Sequence, residues 1–283
     1  MKAVIFGAGG QDGFYLAKIL HREKIEVHAF NRMGCDVSRA SRVHEIIQQV
    51  RPDYVFNFAG VSSVKHTALG MNQDAIVNGT LYILQACHEH APDARVFLTG
   101  SILQFRRDKL VSLDSPLAFD SAYSAQRHAA VAMGRYYRAL GLKVHVGFFG
   151  HHDSPLRPPY HLAQRIAQEA KKAAHGGKVY LSDPDDQKEW NFAGDFMEAV
   201  WLLVNSTTHE AVIGSGVTHS VRDYAVDCLR AAGEMEPWQH LQCHTTRPYS
   251  IVTSTAPQTV KALGWEPRVS MEQLAKMMVA GVP

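Results

Sequence analysis

Short apolar runs alternate with segments of helical periodicity along the first half of the chain. A β-branched run at 2–6 leads through a glycine-rich turn into apolar residues at helical spacing, and the same order then repeats. Further strands are predicted at 25–30, 53–60, 94–100 and 142–149, and helices at 41–50, 74–90 and 122–140. Strand–helix–strand units with right-handed crossovers place their strands in one parallel sheet. The pattern predicts an α/β fold with a doubly wound, Rossmann-type domain over residues 1–150.

The alternation ends after residue 150. Proline and polar residues dominate 151–160, and a helix at 161–175, a strand at 178–182 and a helix near 195–204 follow with shorter pieces between them. We expect residues 151–283 to form mainly a smaller substrate-binding lobe over the ends of the parallel strands. Some of these segments are free to return to the Rossmann sheet.

Composition excludes several classes of protein. The formal charge of +2 over 283 residues includes no basic block, so nucleic acid is not an expected partner. No apolar run approaches the ~20 residues of a membrane span, so no membrane partner is expected. The 4 cysteines are scattered and the 16 histidines form no helical metal-binding pair. We therefore expect a reduced, cytoplasmic setting and no metal site.

The first turn carries the strongest local signal. Gly7, Gly10 and Gly13 follow the first predicted strand at a spacing of three. Glycines here allow a tight turn, bring backbone amides close to a pyrophosphate and pack the helix against the strand. An ordinary tight loop would look similar in isolation, but its place in a strand–helix series favours dinucleotide binding.

The end of the second strand indicates which dinucleotide. NAD-binding domains usually carry a carboxylate there for the ribose hydroxyl, whereas the 2′-phosphate of NADP needs a cation. Arg32 stands near this position, and no acidic residue follows until Asp36. The sequence favours NADP, with NAD and a merely solvated arginine as the alternatives.

Several blocks in order resemble the extended short-chain dehydrogenase/reductases that act on nucleotide sugars. Within that family they are most similar to the GDP-mannose 4,6-dehydratases and the GDP-4-keto-6-deoxymannose reductases. The likeness covers nearly the whole chain and is carried by GAGGQDGFYLAKIL, RPDYVFNFAGVSSV, SAYSAQR, HDSP, KEWNFAGDFMEAVWLL and LGWEPR. The resemblance implies that Asp36 contacts the adenine. The predicted cofactor-binding residues are Gly7, Gly10, Gln11, Asp12, Gly13, Arg32, Asp36, Val37, Phe58, Ala59, Gly60, Tyr123 and Arg127.

The resemblance also implies a catalytic set. Ser101 matches the residue that hydrogen-bonds the sugar 4-oxygen, and Tyr123 matches the general acid or base. A phenol with an ordinary pKa of about 10 needs a nearby cation to exchange protons at neutral pH. Residue 127 lies one helical turn beyond Tyr123, but it is arginine where the family usually has lysine. Arginine supplies the charge with a longer, planar group, so this is either a working variant or a sign of lost activity.

A second departure concerns the reaction. Dehydratases of the family carry a glutamate two residues after the catalytic serine or threonine, and here that position is Leu103, with Phe105 in place of a tyrosine. Leucine cannot remove the C5 proton, so elimination needs a substitute base such as Asp108. Reduction of a 4-keto group needs only the serine, the tyrosine and the cation.

The phosphates of a nucleotide sugar require cations. The candidates are Lys188, Arg247 and Arg157, together with His152 and Asp153 in the HDSP block, although each could be a solvated surface group. Guanine is favoured as the base only by resemblance, and the helix carrying Tyr123 leaves a homodimer open.

Taken together, these residues favour an NADP(H)-dependent 4-keto reductase of a GDP-4-keto-6-deoxyhexose. The alternatives are a GDP-mannose 4,6-dehydratase or a related dehydratase or epimerase, and a non-catalytic NADP-binding sensor or scaffold.

Overall fold

The computed structural model describes residues 1–61, 63–107, 110–173 and 175–281. The strands are β1 (Lys2–Phe6), β2 (Glu26–Phe30), β3 (Tyr54–Asn57), β4 (Arg95–Ser101), β5 (Lys143–Phe149), β6 (His152–Asp153), β7 (Val179–Ser182), β8 (Gln187–Lys188), β9 (Asn191–Phe192), β10 (Glu210–Ile213), β11 (His219–Ser220), β12 (Leu241–His244) and β13 (Val252–Thr253). The helices are α1 (Gln11–Arg22), α2 (Ala40–Val50), α3 (Leu69–Asn72), α4 (Gly79–His90), α5 (Ala122–Ala139), α6 (Leu162–Ala173), α7 (Ala193–Val204), α8 (Val221–Ala231), α9 (Gln258–Ala262) and α10 (Met271–Ala280).

A six-stranded parallel sheet forms the central layer, in the order β10-β5-β4-β3-β1-β2. The inner strands are apolar on both faces because helices cover both sides, as expected for a parallel sheet. The predicted α/β, Rossmann-type fold is confirmed. The strand order reverses between β1 and β3, which is where doubly wound sheets open a ligand crevice at their carboxyl edge.

Two elements beyond residue 150 belong to this central layer. β10 pairs in parallel with β5, with Ile213 opposite Phe149. α7 packs on the sheet and on α1, and Phe196 and Leu203 are fully buried in that contact. The Rossmann layer is therefore completed by residues from both halves of the chain.

The second lobe, which packs beside the sheet, is built around α6, α8 and α10. Their buried faces share one apolar cluster with β7, in which Trp190 stacks on Tyr224 at 4.0 Å between ring centroids. Short strands link this cluster to the sheet: β6 pairs with β9, and β8 pairs with β11 and β13. None of the helices in the described ranges is long and apolar enough to cross a membrane.

Some predicted boundaries were wrong. The strand expected over 53–60 ends at Asn57, and the helix expected from residue 74 begins earlier, at Leu69. Between α3 and α4 the chain runs through a π-helical segment, Gln73–Asn78, which apolar periodicity does not reveal.

Candidate functional site

Two cavities lie along the carboxyl edge of the sheet. One has a volume of about 490 Å³ and is lined by the first glycine turn and the loop after β2. The other has a volume of about 390 Å³ and is lined by the ends of β4 and β5, by α5 and by residues of the second lobe. Gly10, Phe58 and Gly60 line both cavities, so the two form one trough.

The glycine turn has the form of a dinucleotide cradle. Gly7 has a φ of +81°, and a Cβ there would lie 2.6 Å from the backbone nitrogen of Ala59. A Cβ on Gly13 would lie 2.5 Å from the Cα of Ala8, so Gly13 allows α1 to pack against the turn. α1 begins immediately after Gly10, and its amino terminus points its free amides into the trough. A pyrophosphate fits this arrangement.

The predicted cofactor residues divide between the two cavities. Gly13 and Asp12 lie on α1, where Asp12 and Gln11 line the smaller cavity and Gly13 lines neither. Tyr123 and Arg127 also line the smaller cavity. The remaining predicted residues line the larger one: Gly7, Gly10, Arg32, Asp36, Val37, Phe58, Ala59 and Gly60.

The loop after β2 presents an arginine and an amide to the larger cavity. Asn31 follows the end of the strand, and its side-chain oxygen accepts the amides of Met33 and Gly34 at 3.1 and 3.0 Å. Arg32 is largely exposed, and its Nε lies 3.4 Å from Asp36 Oδ2. Hydrogen bonds from Ser38 and then from Arg32 hold the pKa of the Asp36 carboxyl below its usual range. The two residues that follow β2 are therefore the neutral Asn31 and the cationic Arg32.

Tyr123 and Arg127 face each other inside the smaller cavity. Ser121 caps α5 by accepting the amide of Ser124, which fixes the first turn that carries Tyr123. Arg127 Nε donates to the Tyr123 hydroxyl at 3.2 Å, and Nη1 donates to the carbonyl of Thr99 at 2.8 Å. Both side chains are 7% exposed. The guanidinium is therefore fixed by the end of β4 and directed at the phenol.

Ser101 lies at the end of β4, opposite Phe149 of β5, and lines the same cavity. Its hydroxyl oxygen accepts the amide of Leu103 at 3.2 Å, which leaves the hydroxyl hydrogen free to donate. Leu103 also lines the cavity and packs against Tyr123. The position that the resemblance assigns to an acidic base thus presents a methyl surface beside the phenol. Asp108, the substitute base considered above, lies outside the described residues.

Residues 152–157 hold the second lobe against α1. His152 Nε2 lies 3.0 Å from Asp12 Oδ1, and Arg157 Nε donates to Asp153 Oδ1 at 3.1 Å. Gln11 accepts the Ser154 hydroxyl at 2.8 Å. Burial alone would raise the pKa of Asp12, but the charge of His152, its hydrogen bond and Arg157 together lower it. These polar contacts join the second lobe to α1 of the Rossmann-type domain.

The predicted phosphate ligands lie in two places. Lys188 and Arg157 line the smaller cavity, and within the described chain the Lys188 ammonium has no hydrogen-bond or ion-pair partner. Burial lowers the Lys188 pKa. Arg247 lies outside this lining, in a separate crevice of about 170 Å³, where it pairs with Asp186 at 2.8 Å and Asp183 at 3.1 Å.

Two cavity residues were missed as site candidates from sequence. His151 Nδ1 is buried without a hydrogen-bond partner among the described residues, and burial followed by the charge of Lys188 lowers the His151 pKa to about 3. Glu189 is 1% exposed, and its carboxylate accepts hydrogen bonds from Asn191, Ser215, Ser254 and Thr255. Their positions in the sequence could have identified both as cavity residues, because His151 directly precedes the HDSP block and Glu189 directly follows Lys188.

Comparisons with known proteins agree with this architecture. Residues 29–278 match the sequence profile of the family described as GDP-mannose 4,6 dehydratase. GDP-mannose 4,6 dehydratase 1 of Arabidopsis thaliana is 26% identical over 318 aligned positions, which cover 98% of this chain and 88% of that protein.

Several solved structures that share the fold contain a dinucleotide, and two of them illustrate the range. UDP-glucose 4-epimerase of Thermus thermophilus in complex with NAD has a TM-score of 0.85 at 20% identity, covering 99% of this chain and 98% of that one. RMD of Pseudomonas aeruginosa complexed with NADPH also has a TM-score of 0.85, at 16% identity, covering 99% and 97%.

Proposed function

The chain belongs to the GDP-mannose 4,6-dehydratase family, and on that basis we propose that it is a nicotinamide-dependent oxidoreductase that reduces a 4-keto group of a nucleotide-linked sugar. The observation that carries the proposal is the 3.2 Å hydrogen bond from Arg127 to the Tyr123 hydroxyl, inside a cavity continuous with the glycine cradle. A buried phenol next to a fixed cation is suited to proton exchange with a sugar oxygen.

The residues divide the chemistry between them. When bound, a reduced nicotinamide supplies the hydride. The Ser101 hydroxyl donates a hydrogen bond to the sugar carbonyl oxygen and orients it, and Tyr123 gives that oxygen its proton. Arg127 then stabilises the phenolate that remains, because its guanidinium stays protonated at any physiological pH. The Thr99 carbonyl fixes the arginine in this position.

We propose NADP(H) as the cofactor. Structural neighbours contain either NAD or NADPH, so they support a nicotinamide dinucleotide without choosing between the two. The choice rests on Asn31 and Arg32, because the strand ends without a carboxylate for a ribose hydroxyl and with a guanidinium that suits a 2′-phosphate. Arg32 would exchange its long contact with Asp36 for the phosphate.

The nucleotide part of the substrate would lie beside Lys188. Within the described chain no carboxylate lies within ion-pair distance of this ammonium, although Asp186 and Asp153 attract it at longer range, and a diphosphate would supply a direct partner. Arg157, His152 and Asp153 would shape the same wall. A GDP-linked substrate is supported only by the names of the relatives, and Arg247 would need to leave its two aspartates to take part.

A homodimer through α5 stays a proposal, to be tested by light scattering.

A GDP-mannose 4,6-dehydratase is the second candidate, and the comparisons favour it over the reductase because the relatives carry that name. Its mechanism requires a base at C5, and Leu103 occupies that place. Among the described residues, the carboxylates that line the cavity are Asp12, Asp153 and Glu189, and each already has hydrogen-bond donors or a cation.

Two incubations separate the candidates. In the first, GDP-mannose is added with NADP⁺, and mass spectrometry looks for the loss of one water. In the second, GDP-4-keto-6-deoxymannose is added with NADPH, and the absorbance of NADPH is followed. We expect turnover in the second only, abolished by Tyr123→Phe. Dehydration in the first would establish the second candidate, and tight NADPH binding with neither reaction would establish a sensor.

A further inference from the structure

A group of metal-binding side chains lies away from both cavities, where α2 packs against α4. His44 on α2 faces Glu89 and His90 at the end of α4. His44 Nδ1 lies 3.4 Å from Glu89 Oε2, and His90 Nε2 lies 3.7 Å from the same oxygen. One ligand atom from each residue lies within 4.8 Å of the others.

The spacing fits a tetrahedral ion. Zinc binds histidine nitrogen at about 2.0–2.1 Å and carboxylate oxygen at about 2.0–2.2 Å, which sets the edges of a tetrahedron at roughly 3.3–3.5 Å. The observed separations of 3.4 and 3.7 Å are close to these edges. The two imidazoles meet edge to face, at 86° between ring planes, so they do not stack over the space between them.

The backbone around the group also favours a cation. His90 is the last residue of α4, where unpaired carbonyls give the helix terminus a partial negative charge. The two histidine side chains are 27% and 25% exposed, so an ion would have access to water while the ligands stay partly ordered by packing.

We propose that His44, Glu89 and His90 bind one divalent transition-metal ion, with zinc as the chemical type, and that the ion links α2 to α4. Three protein ligands leave a fourth position for water. α4 ends at His90 and β4 starts at Arg95, so this site is at the amino edge of the sheet, opposite the trough. The sequence alone predicted no metal site.

The test uses untagged, chelator-treated protein and zinc chloride, with equilibrium dialysis to count bound zinc per chain. His44→Ala and His90→Ala should each weaken zinc binding by more than ~100-fold, because each removes a direct ligand, whereas loss of an outer-shell partner alone costs roughly 10–100-fold. The matched controls are His21→Ala, an exposed histidine at the end of α1, and Cys243→Ser, which removes the exposed thiol. Both controls should keep one zinc per chain at the affinity of the unmodified protein.

Thermal unfolding gives a second readout. Zinc in excess should raise the Tm by roughly 2–6 °C in the unmodified protein and in both controls, since binding to the folded state alone stabilises it. The rise should be absent in His44→Ala and His90→Ala, and NADPH affinity should stay unchanged as evidence of intact folding. If a histidine variant fails to fold, Glu89→Gln replaces it, because Glu89 is 55% exposed. Zinc binding that survives all three substitutions, or that is lost in His21→Ala, would overturn the proposal.

Discussion

Replacing Arg127 by methionine removes the cation beside Tyr123 and keeps a long side chain in the same buried space. Both groups are 7% exposed, so water reaches them poorly before the substitution. At the observed 3.2 Å between Nε and the phenolic oxygen, a guanidinium and a phenolate attract by about 5 kcal/mol at an effective dielectric constant of about 20. This attraction exists only after the phenol has lost its proton, so its loss falls on the transition state.

The rate effect follows from that energy. Each ~1.4 kcal/mol added to the barrier slows the reaction about tenfold, so the full attraction would correspond to nearly 10⁴-fold. Water that enters beside the methionine recovers part of this electrostatic stabilisation. Proton transfer by a positioned group is in general worth a rate factor of roughly 10²–10⁴. We expect Arg127→Met to slow reduction by roughly 10²–10³-fold.

Single-turnover oxidation of NADPH by GDP-4-keto-6-deoxymannose measures this step without product release. NADPH affinity is titrated separately, since Arg127 also lines the cofactor trough. Arg127→Lys is the matched control, because it keeps the positive charge one helical turn from Tyr123, and it should react at least as fast as the unmodified protein. The reasoning is refuted if Arg127→Met stays within threefold at equal cofactor affinity, or if the lysine variant is as slow as the methionine variant.

Three further predictions concern the cofactor, the buried carboxylate and acid stability. Arg32→Ala should weaken NADPH binding by about tenfold or more and leave NADH binding unchanged, because a charge-assisted contact to the 2′-phosphate is lost; equal effects in fluorescence titrations of both cofactors would contradict the assignment. Glu189→Gln should lower the free energy of unfolding by ~3 kcal/mol in urea, because an amide donor would face groups that now donate to the carboxylate, whereas exposed Glu266→Gln should change it little. Burial lowers the pKa of His145 to about 4, so its contribution to stability is complete above the ordinary histidine pKa of about 6.5 and is lost as the pH falls toward the folded value. Between pH 7 and pH 5 the free energy of unfolding of the unmodified protein should therefore fall by ~2 kcal/mol more than that of His145→Gln. Equal decreases in the two proteins would exclude this cause.

The order of elements was readable from the sequence because a parallel sheet buries both faces of its strands. β1, β3 and β5 are predominantly apolar and almost entirely buried, and that pattern belongs to strands covered by helices on both sides. β10 could not be read in the same way, since its pairing partner β5 lies far away in the chain. Its place at the edge of the sheet is fixed by pairing with β5 and by packing against α7 and α9, and such contacts between distant segments are not visible in the local pattern of four residues.

The site was predictable where one local rule fixed its geometry. Tyr123 and Arg127 are one helical turn apart, so their meeting follows from helix periodicity once α5 is recognised. Arg247 obeys no such rule: its partners Asp183 and Asp186 are brought to it by short strands of the second lobe. The state of His151 was equally hidden, because its lowered pKa depends on burial and on a lysine from a distant segment.

The charge balance of the smaller cavity connects these residues to the chemistry. Asp153 is paired with Arg157, and Asp12 lies in hydrogen-bond contact with His152. Glu189 is satisfied by neutral donors, whereas neither Lys188 nor Arg127 has a carboxylate within ion-pair distance among the described residues. The Arg127 guanidinium therefore stands beside the phenol, and the Lys188 ammonium lines the same cavity. A cavity charged in this way favours a phenolate at one end and a substrate phosphate at the other. Among its described residues every carboxylate is already engaged, and this observation supports the proposal of carbonyl reduction, whereas the names of the relatives support dehydration.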